Sequence, residues 1–122
     1  MPHPKRVLLV DDDVPVLRAT ERLLAGLGYQ VTSCTLVGKA LAAFESAPDS
    51  YDLVISDYWM PDMSGCELLR WVRALRSEVA VLLITGDEEE NLDFPCLTKP
   101  YNLKALSSAV RDAIALADGS PA

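Results

Sequence analysis

The sequence predicts an α/β fold in which a parallel sheet carries helices on both faces. Residues 7–10, 53–55 and 79–84 are short, continuous apolar runs. Such runs are typical of strands buried on both faces, and strands of this kind occur in parallel sheets covered by helices. Amphipathic helical patterns separate the runs along most of the chain. Because right-handed crossovers join alternating strands and helices, the predicted sheet is doubly wound.

Five strands and four helices are predicted in chain order. The strands cover residues 7–10, 29–34, 53–55, 79–84 and 96–98, with 29–34 as a half-exposed edge strand. The helices cover about 14–27, 37 to before Pro48, Ser64 to about 75, and 103–117, with Asp13 and Ser64 as N-caps. Apolar residues at helical spacing mark the inward faces: Val14, Leu17, Leu24 and Leu27; Val37, Ala40, Leu41 and Phe44; Leu68, Leu69, Val72 and Leu75; Leu103, Leu106, Val110, Ile114 and Ala117.

The connection between the fourth and fifth strands departs from this regular alternation. From Gly86 to Pro95 there are ten residues, and a parallel crossover needs roughly 10–12. The connection is also polar, with Leu92 and Phe94 as its only large apolar residues. We therefore expect the helix in this connection to be cut to a turn or two, or replaced by a loop.

Length, charge and cysteine content set limits on the protein class. A chain of 122 residues with half of them apolar fits one domain, residues 1–122. The net charge of −7 argues against direct binding of nucleic acid. Neither a signal peptide nor a membrane span is expected, which predicts a cytoplasmic location. The odd number of cysteines without C-x-x-C spacing favours reduced thiols over a metal or redox site.

Residues able to bind phosphate or metal follow four of the five predicted strands. They are Asp11, Asp12 and Asp13 after the first strand, Asp57 after the third, Thr85 after the fourth and Lys99 after the fifth. Each alone has an ordinary explanation: Asp13 as a helix cap, Asp57 as a turn residue, Thr85 as a strand end and Lys99 as a surface lysine. Since ligands gather beyond the carboxyl ends of parallel strands, the set together predicts one site.

The residue types of this site predict a magnesium-assisted reaction with phosphate. Carboxylates held close together repel one another, so one takes up a proton or a cation joins them. Oxygen ligands with few carboxylates suit Mg²⁺ better than a calcium cage. Once a cation offsets the negative charge of the pocket, a phosphoryl group can enter, and Asp57 can attack it as the nucleophile. Lys99 would supply positive charge, the Thr85 hydroxyl a hydrogen bond, and Gly86 room for entry.

Four sequence segments together resemble the receiver domain of two-component response regulators, over essentially the whole chain. The segments are VLLVDDD at 7–13, DYWMPDMSG at 57–65, LLITG at 82–86 and LTKP at 97–100. The resemblance implies a flavodoxin-like strand order of 2-1-3-4-5. It also implies that Asp57 accepts a phosphoryl group from a phosphohistidine of a sensor histidine kinase or a histidine phosphotransfer protein.

Further roles follow from the same resemblance. Asp12, Asp57 and the backbone carbonyl of Trp59 would bind Mg²⁺, with Asp11 acting through water, and Thr85 and Lys99 would contact the phosphoryl group. The Lys99-Pro100 bond is expected to be cis, the isomer that only X-Pro bonds adopt cheaply. Such a domain is a signalling module with at most weak self-phosphotransfer and autodephosphorylation. Its downstream partner stays open, as does dimerisation on phosphorylation.

Two departures from the family pattern bear on how the domain would signal. Receivers usually carry Tyr or Phe three residues before the lysine, where this chain has Cys96. The short connection after the fourth strand alters the family's common output surface, so its docking and dimerisation cannot be carried over. Trp59 and Asp87 flank the expected route of the water that hydrolyses the acyl phosphate, although Trp59 fits a packing or partner-facing role equally well.

Two competing functions remain at this stage. A phosphatase of the haloacid-dehalogenase type would use Asp11 as nucleophile and Asp13 as acid, but Val14-Pro15 follows where that type has Gly-Thr. A pseudo-receiver would act as a constitutive interaction module, which Cys96 and the short connection permit and the complete acidic set opposes. His3, the only histidine, lies in a proline-flanked tail, so the phosphoryl group is expected to come from another molecule.

Overall fold

A five-stranded parallel sheet forms the centre of the protein. The computed structural model describes residues 5–86 and 93–119. The strands lie in the order β2-β1-β3-β4-β5, and all four neighbouring pairs are parallel. Their bounds are β1 Arg6–Val10, β2 Gln30–Cys34, β3 Leu53–Asp57, β4 Ala80–Thr85 and β5 Cys96–Thr98. The predicted fold class and strand order are therefore confirmed.

Within residues 5–86 and 93–119, four helices connect or follow the strands. They are α1 Val14–Gly26, α2 Val37–Ser46, α3 Gly65–Leu75 and α4 Leu103–Ala117, with a short 3-10 turn at Pro48–Ser50. The Asp13 carboxylate accepts the N–H of Val16, and the Ser64 hydroxyl accepts the N–H of Glu67. Both side chains therefore cap their helices as predicted, because each satisfies a backbone donor of the first turn.

Each face of the sheet carries its own hydrophobic core. Leu8, Val10 and Val54 point to the face covered by α2 and α3. Their chain neighbours Val7 and Leu9 point to the face covered by α1 and α4. Since successive side chains of a strand alternate between faces, only a continuous apolar run can fill both cores.

Three residues predicted to face inward are exposed instead. Val14 is 48% exposed, Leu75 43% and Leu103 47%. Val14 and Leu103 are the first residues of α1 and α4, and Leu75 is the last residue of α3. Helical spacing places them on the correct side, but a terminal residue projects beyond the elements against which the helix packs.

The connection between β4 and β5 is described only at its two ends. Gly86 and residues 93–95 are not helical, and residues 87–92, including Asp87 and Leu92, lie outside the described residues. A segment of six residues is too short for two full turns of α-helix, at about 3.6 residues per turn. The fold therefore fits the predicted shortened or absent helix. Phe94, at the far end of the connection, is buried in the core beneath α3.

The Lys99-Pro100 peptide bond is cis, as predicted. Among the helices of residues 5–86 and 93–119, none has both the length and the apolar character needed to cross a membrane.

Candidate functional site

Three carboxylates meet at the carboxyl edge of the sheet. One oxygen from each of Asp11, Asp12 and Asp57 lies within 4.8 Å of the other two. Asp11 and Asp57 are buried, whereas Asp12 is exposed. Residues that come from two separate strands thus form one cluster, as the sequence predicted.

Strand register brings the acidic residues together. Val10, the last residue of β1, pairs with Ser56, so the chain leaves β1 at Asp11 beside Asp57. The N–H of Asp11 donates to the carbonyl of Cys34 at 3.1 Å, which holds this exit against β2. Beyond β3, the N–H of Tyr58 donates to the carbonyl of Ile84 at 2.8 Å. Neighbouring strands therefore fix the backbone on both sides of the cluster.

Gly65 allows the loop after Asp57 to fold back tightly. A Cβ on Gly65 would lie 2.3 Å from the carbonyl oxygen of Asp57 and 2.7 Å from a methyl group of Leu83. The N–H of Gly65 also donates to the carbonyl of Tyr58 at 2.9 Å. The absence of a side chain is therefore required for α3 to begin directly against the end of β3.

Burial makes ionisation of Asp11 costly. The pKa of Asp11 is raised from 3.8 to about 6, mainly because burial disfavours its charged form and also because of the charges on Asp57 and Asp12. The N–H of Asp13, which donates to the Asp11 carboxylate at 2.9 Å, and the charge of Lys99 lower the pKa in part. A divalent cation would compensate the repulsion within this cluster.

Lys99 supplies the positive charge of the site. Its ammonium nitrogen lies 2.9 Å from a carboxylate oxygen of Asp57, and its side chain is 30% exposed. Burial acts to lower the pKa of Lys99, but the hydrogen bond and charge of Asp57, together with Asp11, raise the pKa overall. Among the described residues, the three carboxylates and the one ammonium of the cluster sum to two negative charges, which matches a divalent cation.

Thr85 lies at the same edge of the sheet. It ends β4 and is 3% exposed. The preceding residue, Ile84, pairs with Asp57. The carbonyl of Thr85 accepts the backbone N–H of Lys99 at 2.8 Å. The ends of β3, β4 and β5 thus bring the backbones of Asp57, Thr85 and Lys99 to the same edge of the sheet.

The Asp13 carboxylate and the Trp59 ring lie outside the group of three carboxylates. Asp13 is exposed, and its carboxylate accepts the N–H of Val16 at the start of α1. Trp59 is 64% exposed, and its ring meets the ring of Tyr58 edge to face at 4.9 Å. A cleft of about 330 Å³ opens beside Asp12, between Leu36 and Pro61.

Sequence reasoning missed a hydroxyl pair close to Lys99. The Tyr101 and Thr20 hydroxyl oxygens are 2.5 Å apart, although 81 positions separate the two residues. The sequence shows only that Tyr101 follows Lys99-Pro100, and no local pattern connects it to the middle of α1.

Comparison with known proteins identifies the family. A sequence model described as the response regulator receiver domain matches residues 7–111. The chain belongs to this family. Receiver domains are signalling domains of two-component systems, so the resemblance predicted from the four sequence segments is confirmed.

Individual relatives agree with the family assignment. The receiver domain is 41% identical to the two-component response regulator ARR14 of Arabidopsis thaliana over 86 residues, which cover 70% of this chain and 22% of the relative. A receiver domain protein from Clostridium thermocellum superposes with a TM-score of 0.84 at 28% identity, covering 93% of this chain and 97% of that one. The receiver domain of the hybrid histidine kinase CckA superposes with a TM-score of 0.79 at 32% identity, covering 89% and 98%.

The curated relatives are much longer than this receiver domain. The chain spans less than a quarter of the length of the first relatives it matches.

Proposed function

We propose that Asp57 of this receiver domain accepts a phosphoryl group from a phosphohistidine of a partner protein. The observation that carries the proposal is the buried Asp57 carboxylate, which lies within the acidic cluster and 2.9 Å from the Lys99 ammonium. A carboxylate so placed has a neighbouring positive charge to stabilise the incoming phosphoryl oxygens. Receiver domains interact with histidine kinases or histidine phosphotransfer proteins. We assign the role of phosphoryl donor to these two classes of protein.

The residues of the cluster fit a bound Mg²⁺. Asp11, Asp12 and Asp57 offer only oxygen ligands within 4.8 Å of one another, and oxygen is the ligand that hard divalent ions prefer. Asp12, Asp57 and the backbone carbonyl of Trp59 would hold the ion directly, with Asp11 acting through water. When bound, Mg²⁺ supplies positive charge that offsets the repulsion between the carboxylates and the phosphoryl oxygens.

The protein residues have separate roles in the transfer. An Asp57 oxygen attacks phosphorus, forming the O–P bond while the N–P bond of the phosphohistidine breaks. The electron pair of that bond stays on the imidazole nitrogen of the donor. Lys99 stabilises the phosphoryl oxygens by its charge, and the Thr85 hydroxyl donates a hydrogen bond to one of them. Water then hydrolyses the acyl phosphate, and we expect this autodephosphorylation to be weak at most.

Phosphorylation of Asp57 would replace one carboxylate charge with the charge of a phosphoryl group, about −1.5 to −2, so the net change at this edge is about −0.5 to −1. A backbone hydrogen bond connects Lys99 to Thr85. A shift of either residue would therefore move the ends of both β4 and β5. We assign residues 1–122 to a single receiver domain that uses this shift to signal to a partner.

The direct test is phosphorylation by a small donor. Purified protein is incubated with Mg²⁺ and acetyl phosphate or phosphoramidate, and its intact mass is followed with time. The proposal expects a labile gain of one phosphoryl group that depends on Mg²⁺ and is absent from Asp57→Ala. No gain in the unsubstituted protein would instead support a pseudo-receiver. Sustained turnover of phosphate monoesters without labelling would support a phosphatase.

A further inference from the structure

Thr20 is a buried polar residue that lies outside the phosphoacceptor site. In the described part of the chain, the buried polar or charged residues are Asp11, Thr20, Ser56, Asp57 and Thr85. Four of these residues lie at the carboxyl ends of strands within or beside the site. Thr20 lies instead in the middle of α1, between the buried Leu17 and Leu24.

The partner of Thr20 explains its presence in an apolar core. A buried hydroxyl is costly unless it is hydrogen-bonded. The Tyr101 hydroxyl lies 2.5 Å from that of Thr20, and the Tyr101 ring packs against the core formed with α1 and α4. The hydroxyl pair therefore fixes Tyr101 relative to α1.

Tyr101 is attached directly to the segment that carries Lys99. One residue, Pro100, separates the two, and proline restricts backbone rotation there. The backbone N–H of Lys99 donates to Thr85 at 2.8 Å on the other side. The backbone of Lys99 is thus held on one side by its hydrogen bond to β4. On the other side it is held by the contact of Tyr101 with α1. The tyrosine also lies close enough to contribute to the raised pKa of Lys99.

The segment that carries Lys99 borders an opening, which Thr20 and Tyr101 also line. An opening of about 300 Å³ lies between α1 and the segment, lined on the helix side by Val16, Ala19 and Leu23 and on the other side by Lys99 and Pro100. A flexible lysine side chain on a segment next to open space needs a fixed backbone to deliver its ammonium to one point.

We propose that Thr20 and Tyr101 are positioning residues for Lys99, holding its backbone so that the ammonium meets the phosphoryl group arriving at Asp57. This inference rests on the proposed phosphoacceptor function. Neither hydroxyl contacts the phosphoryl group. Their effect on the transfer passes through the backbone of Lys99.

The experiment compares rates of Asp57 phosphorylation by phosphoramidate with Mg²⁺, at saturating donor. Thr20→Val removes one hydroxyl with little change of shape, and Tyr101→Phe removes the other. Each is expected to slow labelling about tenfold, as for the loss of one hydrogen bond at a positioned group. Thr20→Ser keeps the hydroxyl and is expected to label within about twofold of the unsubstituted protein. Tyr29→Phe, a half-buried tyrosine against the same core, serves as the matched control and should label normally.

A second background separates positioning from general destabilisation. In Lys99→Gln, the added change Tyr101→Phe should not slow labelling further, because the ammonium it positions is gone. Equal slowing in both backgrounds would overturn the inference, as would normal rates in Thr20→Val and Tyr101→Phe. Thermal unfolding should show that Thr20→Ser, which also loses a buried methyl group, is destabilised yet fast. Failure of the unsubstituted protein to label would overturn the proposed function itself, and this inference with it.

Discussion

The backbone N–H of Lys99 donates to the carbonyl of Thr85 at 2.8 Å, just beyond the last paired residues of β4 and β5. The bond ties the lysine to the strand that ends at the threonine. The ammonium nitrogen of Lys99 lies 2.9 Å from a carboxylate oxygen of Asp57. The ends of β3, β4 and β5 are therefore connected through the hydrogen bond and the ion pair of Lys99.

Removal of the Lys99 charge is expected to change phosphorylation and metal binding in opposite directions. Lys99→Gln should slow labelling of Asp57 about 100-fold, since a preorganised charge at the reacting group is lost. The same change should strengthen Mg²⁺ binding, because the ammonium no longer competes for the Asp57 carboxylate. Labelling kinetics and calorimetric Mg²⁺ titration measure the two effects. Lys104→Gln, at an exposed lysine of α4, should alter neither.

Gly65→Ala is expected to destabilise the domain and disturb its site. The added Cβ would approach the backbone oxygen of Asp57 to 2.3 Å, and backbone cannot move aside as a flexible side chain can. Overpacking of this kind costs about 1–3 kcal/mol of unfolding free energy. Urea denaturation measures the cost, and phosphoramidate labelling measures the accompanying loss of phosphoacceptance.

Gly38→Ala provides the matched control for Gly65→Ala. Gly38 lies in α2, and a Cβ there would meet no atom within 4 Å. Alanine in a helix is favoured over glycine by about 0.5–1 kcal/mol, so this variant should be more stable than the unsubstituted protein. Equal stability changes in the two variants would contradict the assigned role of Gly65.

The sequence predicted the parts of the molecule that depend on local patterns. The apolar run at 53–55 located β3, and the polar residues after it located the site at Asp57. The predicted strand ended too early. Ser56 and Asp57 belong to β3, although polar residues at these positions look like the start of a loop. At helix ends, spacing alone does not reveal whether a packing partner is present. The prediction of inward-facing residues was therefore wrong for Val14, Leu75 and Leu103.

Contacts between distant segments were beyond the reach of sequence patterns. The hydroxyl pair of Thr20 and Tyr101 depends on the packing of α1 against the segment after β5. The need for Gly65 depends on its distance from the Asp57 carbonyl. Both are properties of the assembled sheet, and neither leaves a periodic signal in the chain.

The three cysteines are expected to react with iodoacetamide in an order set by burial. Cys96 is exposed, whereas Cys66 is buried and Cys34 half-buried, and burial raises the pKa of both Cys34 and Cys66. A raised pKa lowers the fraction of reactive thiolate. Peptide mass mapping under native conditions should therefore show Cys96 modified first, and Cys96→Ser should remove the fast phase. Faster labelling of Cys66 would show that the start of α3 opens readily.

Without divalent metal, the stability of the domain is expected to fall as pH rises from about 4 to about 6. The pKa of Asp11 is about 6 in the folded protein against 3.8 ordinarily, so in this window the folded state holds a proton that the unfolded state has released. Stability then decreases with pH, and the penalty is complete above about pH 6, at up to about 3 kcal/mol. Asp11→Asn should remove this decrease and stabilise the metal-free protein at pH 7.

Mg²⁺ is expected to reverse the same penalty in the unsubstituted protein. Addition of the ion at pH 7 should raise the unfolding free energy by about 2.7 kcal/mol at 100 times the dissociation constant, since it binds the folded cluster alone. At pH 5 the gain should be smaller, because the protonated Asp11 must first lose its proton. Asp12→Ala removes one predicted ligand and should abolish the gain at both pH values. Chemical denaturation at pH 5 and pH 7, with EDTA or Mg²⁺, measures all four conditions, and an equal gain at the two pH values would contradict the assigned role of Asp11.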